Sequence, residues 1–256
     1  MTAALIGHTG FVGASLARTA HFDVLINRTN LESLRGMHLE QVVCAGLPAA
    51  KWLANRSPDQ DAANVHCLEA TLSTIRADSF VLISTIDVYP QTGGADEECD
   101  CSKQPNHAYG THRLGFERFV QNTFPRAHIV RLPALFGAGL KKNVLYDLLH
   151  ERQLERINPA SRFQWYPLGL LPGHLRTIKA CDLRLVNLFT EPIETHAIIE
   201  QFFPHLAVGG SPDPLAHYDL CTRYGTLFGR NERYVLGRAG VVAALADFIR
   251  AEQGQV

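Results

Sequence analysis

Gly7, Gly10 and Gly13, in the run Gly7-His8-Thr9-Gly10-Phe11-Val12-Gly13, are the first residues whose types and spacing could do chemistry. They follow the apolar run Ala3-Ala4-Leu5-Ile6 and open an amphipathic segment containing Phe11, Val12 and Leu16. In a strand–loop–helix context, glycine turns the chain tightly and brings backbone N–H groups against a pyrophosphate at the positive end of a helix. The last glycine lets that helix pack closely on its strand. The expected cradle is Gly7, Thr9, Gly10, Phe11, Val12 and Gly13, spaced G-x-x-G-x-x-G rather than G-x-G-x-x-G. The end of the second apolar run chooses between dinucleotides: an acid there suits NAD, an arginine suits NADP. Here it reads Ile26-Asn27-Arg28-Thr29, and Asp23 lies too early to be the acid. Asn27 and Arg28 therefore favour NADP; NAD is the alternative, and a solvated loop arginine is the plainer account of Arg28.

Two more stretches hold reactive groups. Ser84-Thr85-Ile86-Asp87-Val88-Tyr89 closes a fourth apolar run, and Tyr109-Gly110-Thr111-His112-Arg113 follows an acidic loop with Asp96, Glu97 and Glu98. Lysine occurs only at positions 51, 103, 141, 142 and 179, so a mechanism that needs one has few candidates. Neither a Cys-x-x-Cys nor a His-x-x-x-His exists among the 6 cysteines and 12 histidines, and no metal is expected.

These groups need a scaffold. Short apolar runs at 3–6, 24–26, 41–45, 80–84 and 127–131 read as strands. Helical segments around 31–37 and 62–76 fall between them, which predicts an α/β parallel sheet covered on both faces. Beyond about Gly139 the pattern loosens. Residues 144–155 read as a helix, 162–173 as aromatics and turns, 185–189 as one more strand and 204–217 as loop. Val241, Val242, Leu245, Phe248 and Ile249 mark one face of a closing helix. The 256 residues, 46% hydrophobic with a formal net charge of −1, allow ample core and argue against disorder or a dedicated nucleic-acid binder. No run is long enough to span a bilayer, and the first residues lack the basic flank of a signal peptide. Together with thinly spread cysteines, this predicts a cytoplasmic protein with reduced thiols and no nucleic-acid or membrane partner.

With Thr85 and Tyr109 24 residues apart in this order, the chain resembles the extended short-chain dehydrogenase/reductases, the NAD(P)-dependent nucleotide-sugar epimerases and dehydratases. Asn64-Val65 and Arg131-Leu132-Pro133-Ala134-Leu135-Phe136-Gly137-Ala138-Gly139 extend the likeness over about residues 3–143. The resemblance implies a Rossmann-type doubly wound sheet over 1–140, closed by elements from 180–192 and 238–252. A small, mostly irregular and helical substrate cap covers 141–235.

It also implies hydride transfer on a nucleotide-sugar or similar carbonyl or alcohol, by reduction or epimerisation. Thr85 would orient the substrate oxygen and Tyr109 would move the proton. Arg113 stands where the family keeps lysine; it carries a permanent charge on a planar fork and cannot relay a proton. Ala45, Gly46, Ser84, Tyr109, Arg113 and Leu132 join the expected cofactor contacts, and Thr85, Asp87, Asn143 and Arg162 the substrate contacts. Ile86 occupies the place of the dehydratases' extra acid, with Asp87 one later, which disfavours dehydration. The segment Asn30–Glu40 leaves little room for the family's further strand beside the adenine. A homodimer is compatible with the resemblance. The alternative is a catalytically impaired dinucleotide-sensing protein of the same fold.

Overall fold

The computed structural model describes residues 2–229 and 232–254. In chain order the first elements are β1 (Ala3–Ile6), α1 (Phe11–Thr19), β2 (Val24–Ile26), β3 (His38–Cys44), α2 (Lys51–Arg56), α3 (Pro58–Leu72), β4 (Arg76–Thr85), α4 (Ala108–Thr123) and β5 (Ala127–Leu132). They are followed by β6 (Ala134–Phe136), α5 (Val144–Leu149), β7 (Arg162–Phe163), β8 (Trp165–Pro167), α6 (Leu171–Ala180), β9 (Leu185–Asn187) and β10 (Ile193–Glu194). The chain closes with α7 (Thr195–Phe202), α8 (Gly225–Phe228) and α9 (Arg238–Gln253). It divides into two compact units. The first holds residues 1–91, 98–132 and 171–187, the second 92–97, 133–170 and 188–256.

The first unit contains a six-stranded sheet in the order β2-β1-β3-β4-β5-β9, parallel throughout. Its strands are runs of Ala, Val, Leu and Ile because both faces are covered. Ala4, Ile6, Val42, Phe80, Leu82 and Ile129 share one core with Val65, Leu68 and Leu72 of α3 and Phe116 and Val120 of α4. Phe80 stacks on Phe124 at 4.2 Å between centroids. Strand order reverses at β1, which lies between β2 and β3. The carboxyl ends of β1 and β3 therefore flank the crevice where doubly wound sheets take ligands.

In the second unit, β6 pairs with β8 and β10 with β7. Its core gathers Phe136, Trp165, Ile193, Ile198 and Phe203 around Val241, Leu245 and Ile249 of α9. The apolar face of the closing helix was legible in the sequence. The structure groups that helix with this core, whereas the sequence placed it against the dinucleotide half.

Several expectations change in detail. Residues 31–37 form a single 3-10 turn, Leu31–Leu34, because Gly36 at φ +73° redirects the chain into β3. The helix expected at 62–76 runs from Pro58 to Leu72, and Arg76 already opens β4. That strand is ten residues long, not five. Its polar first half, Arg76–Ser79, pairs with His38–Gln41 at a more exposed end of the sheet, where an apolar run gives no signal. The helix expected at 144–155 stops at Leu149, since Glu151 and Gln153 take positive φ (51° and 49°). Residues 162–173 supply β7, β8 and the start of α6, and the last strand stops at Asn187 rather than 189.

Candidate active site

The glycine loop leaves β1 and returns as α1, with Gly10 as N-cap and no side chain capping the first turn. Gly7 has φ +86°, and a Cβ there would lie 2.4 Å from the Ala45 carbonyl oxygen. A Cβ on Gly13 would lie 2.1 Å from the Gly7 carbonyl oxygen. These two glycines weld the loop to its own helix and to Ala45-Gly46 at the end of β3. At Gly10, by contrast, a Cβ would meet only the Gly7 oxygen, at 3.4 Å. Thr9 and Gly10 are exposed, while Phe11 and Val12 begin the helix. The first-turn N–H groups have no partner inside the helix and carry partial positive charge, as an anionic diphosphate requires.

At the end of β2, the Asn27 side-chain oxygen accepts from the Thr29 N–H (2.8 Å) and hydroxyl (2.7 Å). The Asn27 amide nitrogen lies 3.4 Å from His8 Nε2. Arg28, on this turn, is exposed. Asp23 accepts from the Ala3 N–H at 2.8 Å, at the opposite end of the strand, where it cannot serve a ribose at the carboxyl ends.

The catalytic candidates stand at the same end of the sheet, after β4. Thr85 closes the strand, and its hydroxyl oxygen accepts the Asp87 N–H at 3.1 Å, capping a 3-10 turn over Ile86–Val88. The same hydroxyl lies 3.3 Å from Asp87 Oδ2. Helix α4 begins directly over this turn. Asn106 donates to the carbonyls of Asp87 (2.9 Å) and Val88 (3.1 Å), and His107 Nδ1 accepts the Gly110 N–H as the helix cap (3.0 Å). A Cβ on Gly110 would fall 2.3 Å from the Asp87 carbonyl oxygen, so the residue after Tyr109 must be small. Asn55 of α2 accepts the Tyr109 N–H at 2.9 Å.

The Tyr109 side chain is buried, with the Thr85 hydroxyl near enough to its phenol to favour the ionised form. Burial pushes its pKa above the ordinary tyrosine value. The Arg113 charge opposes that shift, and the Asp87 carboxylate reinforces it. Tyr109 is therefore a neutral phenol at pH 7.

Arg113, four residues on, is 2% exposed, and its guanidinium carbon sits 4.3 Å from the Tyr109 ring centre. Its fork binds Asp61 of α3 bidentately (Nη1 to Oδ2 2.8 Å, Nη2 to Oδ1 2.9 Å), and Nη2 also donates to the Pro48 carbonyl at 2.6 Å. His112 Nδ1 reaches the same carboxylate at 2.8 Å. One polar atom of the fork, Nε, is buried without a partner among the described residues. Burial pushes the Asp61 carboxyl up, but the hydrogen bonds from Arg113 and His112 outweigh it and hold the pKa below the ordinary value.

Removing the Asp61 charge strands a buried guanidinium, so Asp61→Asn is expected to lower stability by about 3–5 kcal/mol at pH 7. Because the folded-state pKa is depressed, this contribution is present above about pH 4 and is lost as pH falls through the folded value. Thermal melts between pH 7 and pH 3 check it: wild type and variant converge in acid.

The remaining expected residues fall elsewhere. The Ser84 hydroxyl turns inward and donates to Glu117 at 2.5 Å, and Glu117 is paired with Arg131 at 2.6 Å. That hydroxyl serves a buried ion pair under the strand rather than a ligand. Leu132 is buried at the end of β5. Asn143 and Arg162 belong to the second unit. Asn143 caps α5, accepting from the Tyr146 N–H (3.1 Å) and donating to the Leu135 carbonyl (2.9 Å). Arg162 is half-buried on β7.

Sequence reasoning missed Asp61, the counter-charge that a buried arginine in place of lysine demands. It also missed Lys51, whose Nζ lies 2.6 Å from Asp87 Oδ1. Among the described residues no group of three or more His, Cys, Asp or Glu is placed to hold a metal, and no helix is long and apolar enough to cross a membrane.

No protein-family model matches this chain, and no curated protein matches its sequence. Solved structures do match its fold. A dTDP-4-dehydrorhamnose reductase from Bacillus anthracis in complex with NADP superposes with a TM-score of 0.73 at 13% identity, over 98% of this chain and 99% of the other. A dTDP-glucose 4,6-dehydratase from Streptomyces venezuelae with NAD bound gives 0.74 at 15%, over 100% and 98%. A UDP-glucose 4-epimerase from Thermotoga maritima with UDP-glucose gives 0.71 at 12%, over 99% and 100%. The likeness is one of fold, shared with structures of a nucleotide-sugar reductase, dehydratase and epimerase.

Proposed function

We propose that this chain is an NAD(P)-dependent oxidoreductase or epimerase acting on a nucleotide-sugar or a similar carbonyl or alcohol. The observation that carries it is the buried Tyr109 phenol beside Arg113, with Thr85 close by at the carboxyl end of β4. That is the sheet end where the glycine loop opens. The residues fit a dinucleotide: of the loop's three glycines, Gly10 alone leaves room for a close approach, and Arg113 Nε is a buried donor with no partner among the described residues.

A bound nicotinamide would supply the hydride acceptor or donor. The protein's own groups do the rest. Thr85 orients the substrate oxygen. Tyr109, a neutral phenol, gives that oxygen its proton during reduction and takes it back during oxidation. Arg113 fixes the phenol ring and biases it towards ionisation without exchanging a proton. Arg28 and Asn27 would hold the adenosine ribose and favour NADP, and Arg162 would meet a substrate diphosphate. Asn143 has its amide committed to its own helix and strand, which weakens its claim as a substrate contact. We place the enzyme in the cytoplasm, and a homodimer is the assembly to test by sedimentation.

The test is the dinucleotide released from the purified protein, identified by mass, with NAD and NADP titrated against the melting temperature and a nucleotide-sugar panel assayed for turnover. NADP is expected to bind more tightly. Arg28→Ala should lose that preference by about 10- to 100-fold, the worth of a charge-assisted contact to a 2′-phosphate. The bidentate hold of Asp61 on Arg113 favours one second reading, a dinucleotide sensor that does no chemistry. Tight dinucleotide binding with no turnover by wild type or Arg113→Lys would decide for it.

A further inference from the structure

We propose that Lys51 is a positioning residue of this site, which sets the proton affinity of Tyr109 by neutralising Asp87. The proposal deepens the function above and rests on the assignment of Tyr109 as the proton-transfer group.

Asp87 sits between two partners. Its Oδ1 accepts from Lys51 Nζ at 2.6 Å, and its Oδ2 lies 3.3 Å from the Thr85 hydroxyl. Thr85 has one hydroxyl proton and two acceptors for it, the Asp87 carboxylate and the Tyr109 oxygen. Whatever lowers the negative charge on Asp87 releases that proton towards Tyr109, and so favours the phenolate. Lys51, at 2.6 Å, lowers it. It projects from α2, a helix tied to α4 through the hydrogen bond from the Tyr109 backbone N–H to Asn55. At 39% exposed for Lys51 and 16% for Asp87, the pair is partly shielded from solvent screening.

The charged and titratable groups around the phenol come from every element packed on it: Lys51 from α2, Asp61 from α3, Asp87 from the 3-10 turn, and His107, His112 and Arg113 from α4. The Arg113 charge is answered by Asp61, so its help to Tyr109 is partly spent. Lys51 and Asp87 form the other pair of this set. His107 sits beside both: burial lowers its pKa, the Lys51 charge lowers it further, and Asp87 acts against them. At pH 7 it is neutral and leaves the balance to Lys51.

The experiment places 3,5-difluorotyrosine at position 109 of the full chain and follows its ionisation by fluorine NMR. The backgrounds are wild type, Lys51→Met, Asp87→Asn and the double variant. The fluorinated phenol ionises below the other tyrosines, so one residue reports, without substrate or cofactor. Lys51→Met is expected to raise the midpoint by about one pH unit, a tenfold change in proton affinity. Asp87→Asn should lower it, and Lys51→Met in the Asp87→Asn background should shift it by less than a third of its effect alone. Equal Lys51→Met shifts in both backgrounds, or no shift in either, would overturn the proposal. Lys51→Arg should restore the wild-type midpoint if charge is what matters. Failure of the functional assignment would look different, because the midpoints would couple as described while no dinucleotide bound.

Discussion

Gly10→Ala is expected to leave the melting temperature of the ligand-free protein essentially unchanged and to abolish most of the rise that NADP or NAD produces. Gly10 has φ −77° and ψ 168°, which alanine adopts without strain, and its Cβ would make an ordinary 3.4 Å contact. The added methyl instead occupies the space above the first turn of α1, where a pyrophosphate must approach backbone N–H groups. Each charge-assisted hydrogen bond lost costs about 1.5–3 kcal/mol, so affinity should fall by roughly 10- to 100-fold per contact. Gly13→Ala is the contrasting variant. Its Cβ would lie 2.1 Å from one backbone atom and 2.7 Å from another, so the loop itself must move. That variant should lose ligand binding and ligand-free stability together. Calorimetric melts with and without dinucleotide separate the two; if Gly10→Ala binds like wild type, the loop is a packing device and not a cradle.

Tyr109→Phe carries the second large effect. The ring keeps its burial and its contact with Arg113, so fold and dinucleotide binding should survive. The loss of the hydroxyl should lower turnover by about 10²- to 10⁴-fold, the usual worth of a positioned acid or base. Direction matters here. Burial keeps the phenol protonated well beyond neutral pH, so carbonyl reduction, which needs the acid, should proceed across pH 6–8 with little pH dependence. Alcohol oxidation needs the phenolate and should accelerate as pH rises towards the phenol's own pKa. Initial rates in both directions against pH check this, with Tyr109→Phe flat in each.

The parts of this picture that were legible in the sequence are those written in local pattern. The glycine loop, the apolar parallel strands and the Thr85–Tyr109–Arg113 order can be read residue by residue, because turn geometry, burial and helix spacing each leave a short signature. What could not be read depends on pairs distant in sequence. Arg113 was conspicuous as a departure from lysine, yet nothing local says that its partner is Asp61, 52 residues earlier on another helix. Lys51 stands in a short helix with no periodicity and approaches Asp87 only because α2 and α4 pack together. Ser84 misled for the opposite reason. Its neighbour faces the site, but alternation along the strand turns Ser84 towards Glu117. In the second unit, the positive-φ residues Glu151 and Gln153 ended a helix that their side chains alone would have continued.

The clamp of Arg113 on Asp61 and the Pro48 carbonyl has a consequence for how this sequence can change over time. Position 113 is no longer independent. A lysine there would forfeit the fork, and a neutral residue at 61 would abandon a charge in the interior. Loss of either partner alone is uphill, and only exchange of both for uncharged residues of similar volume escapes the cost. The two sites are thus expected to change as a unit. Lysine at 113 should be tolerated best where Asp61 is kept, since a buried ammonium needs the same counter-charge.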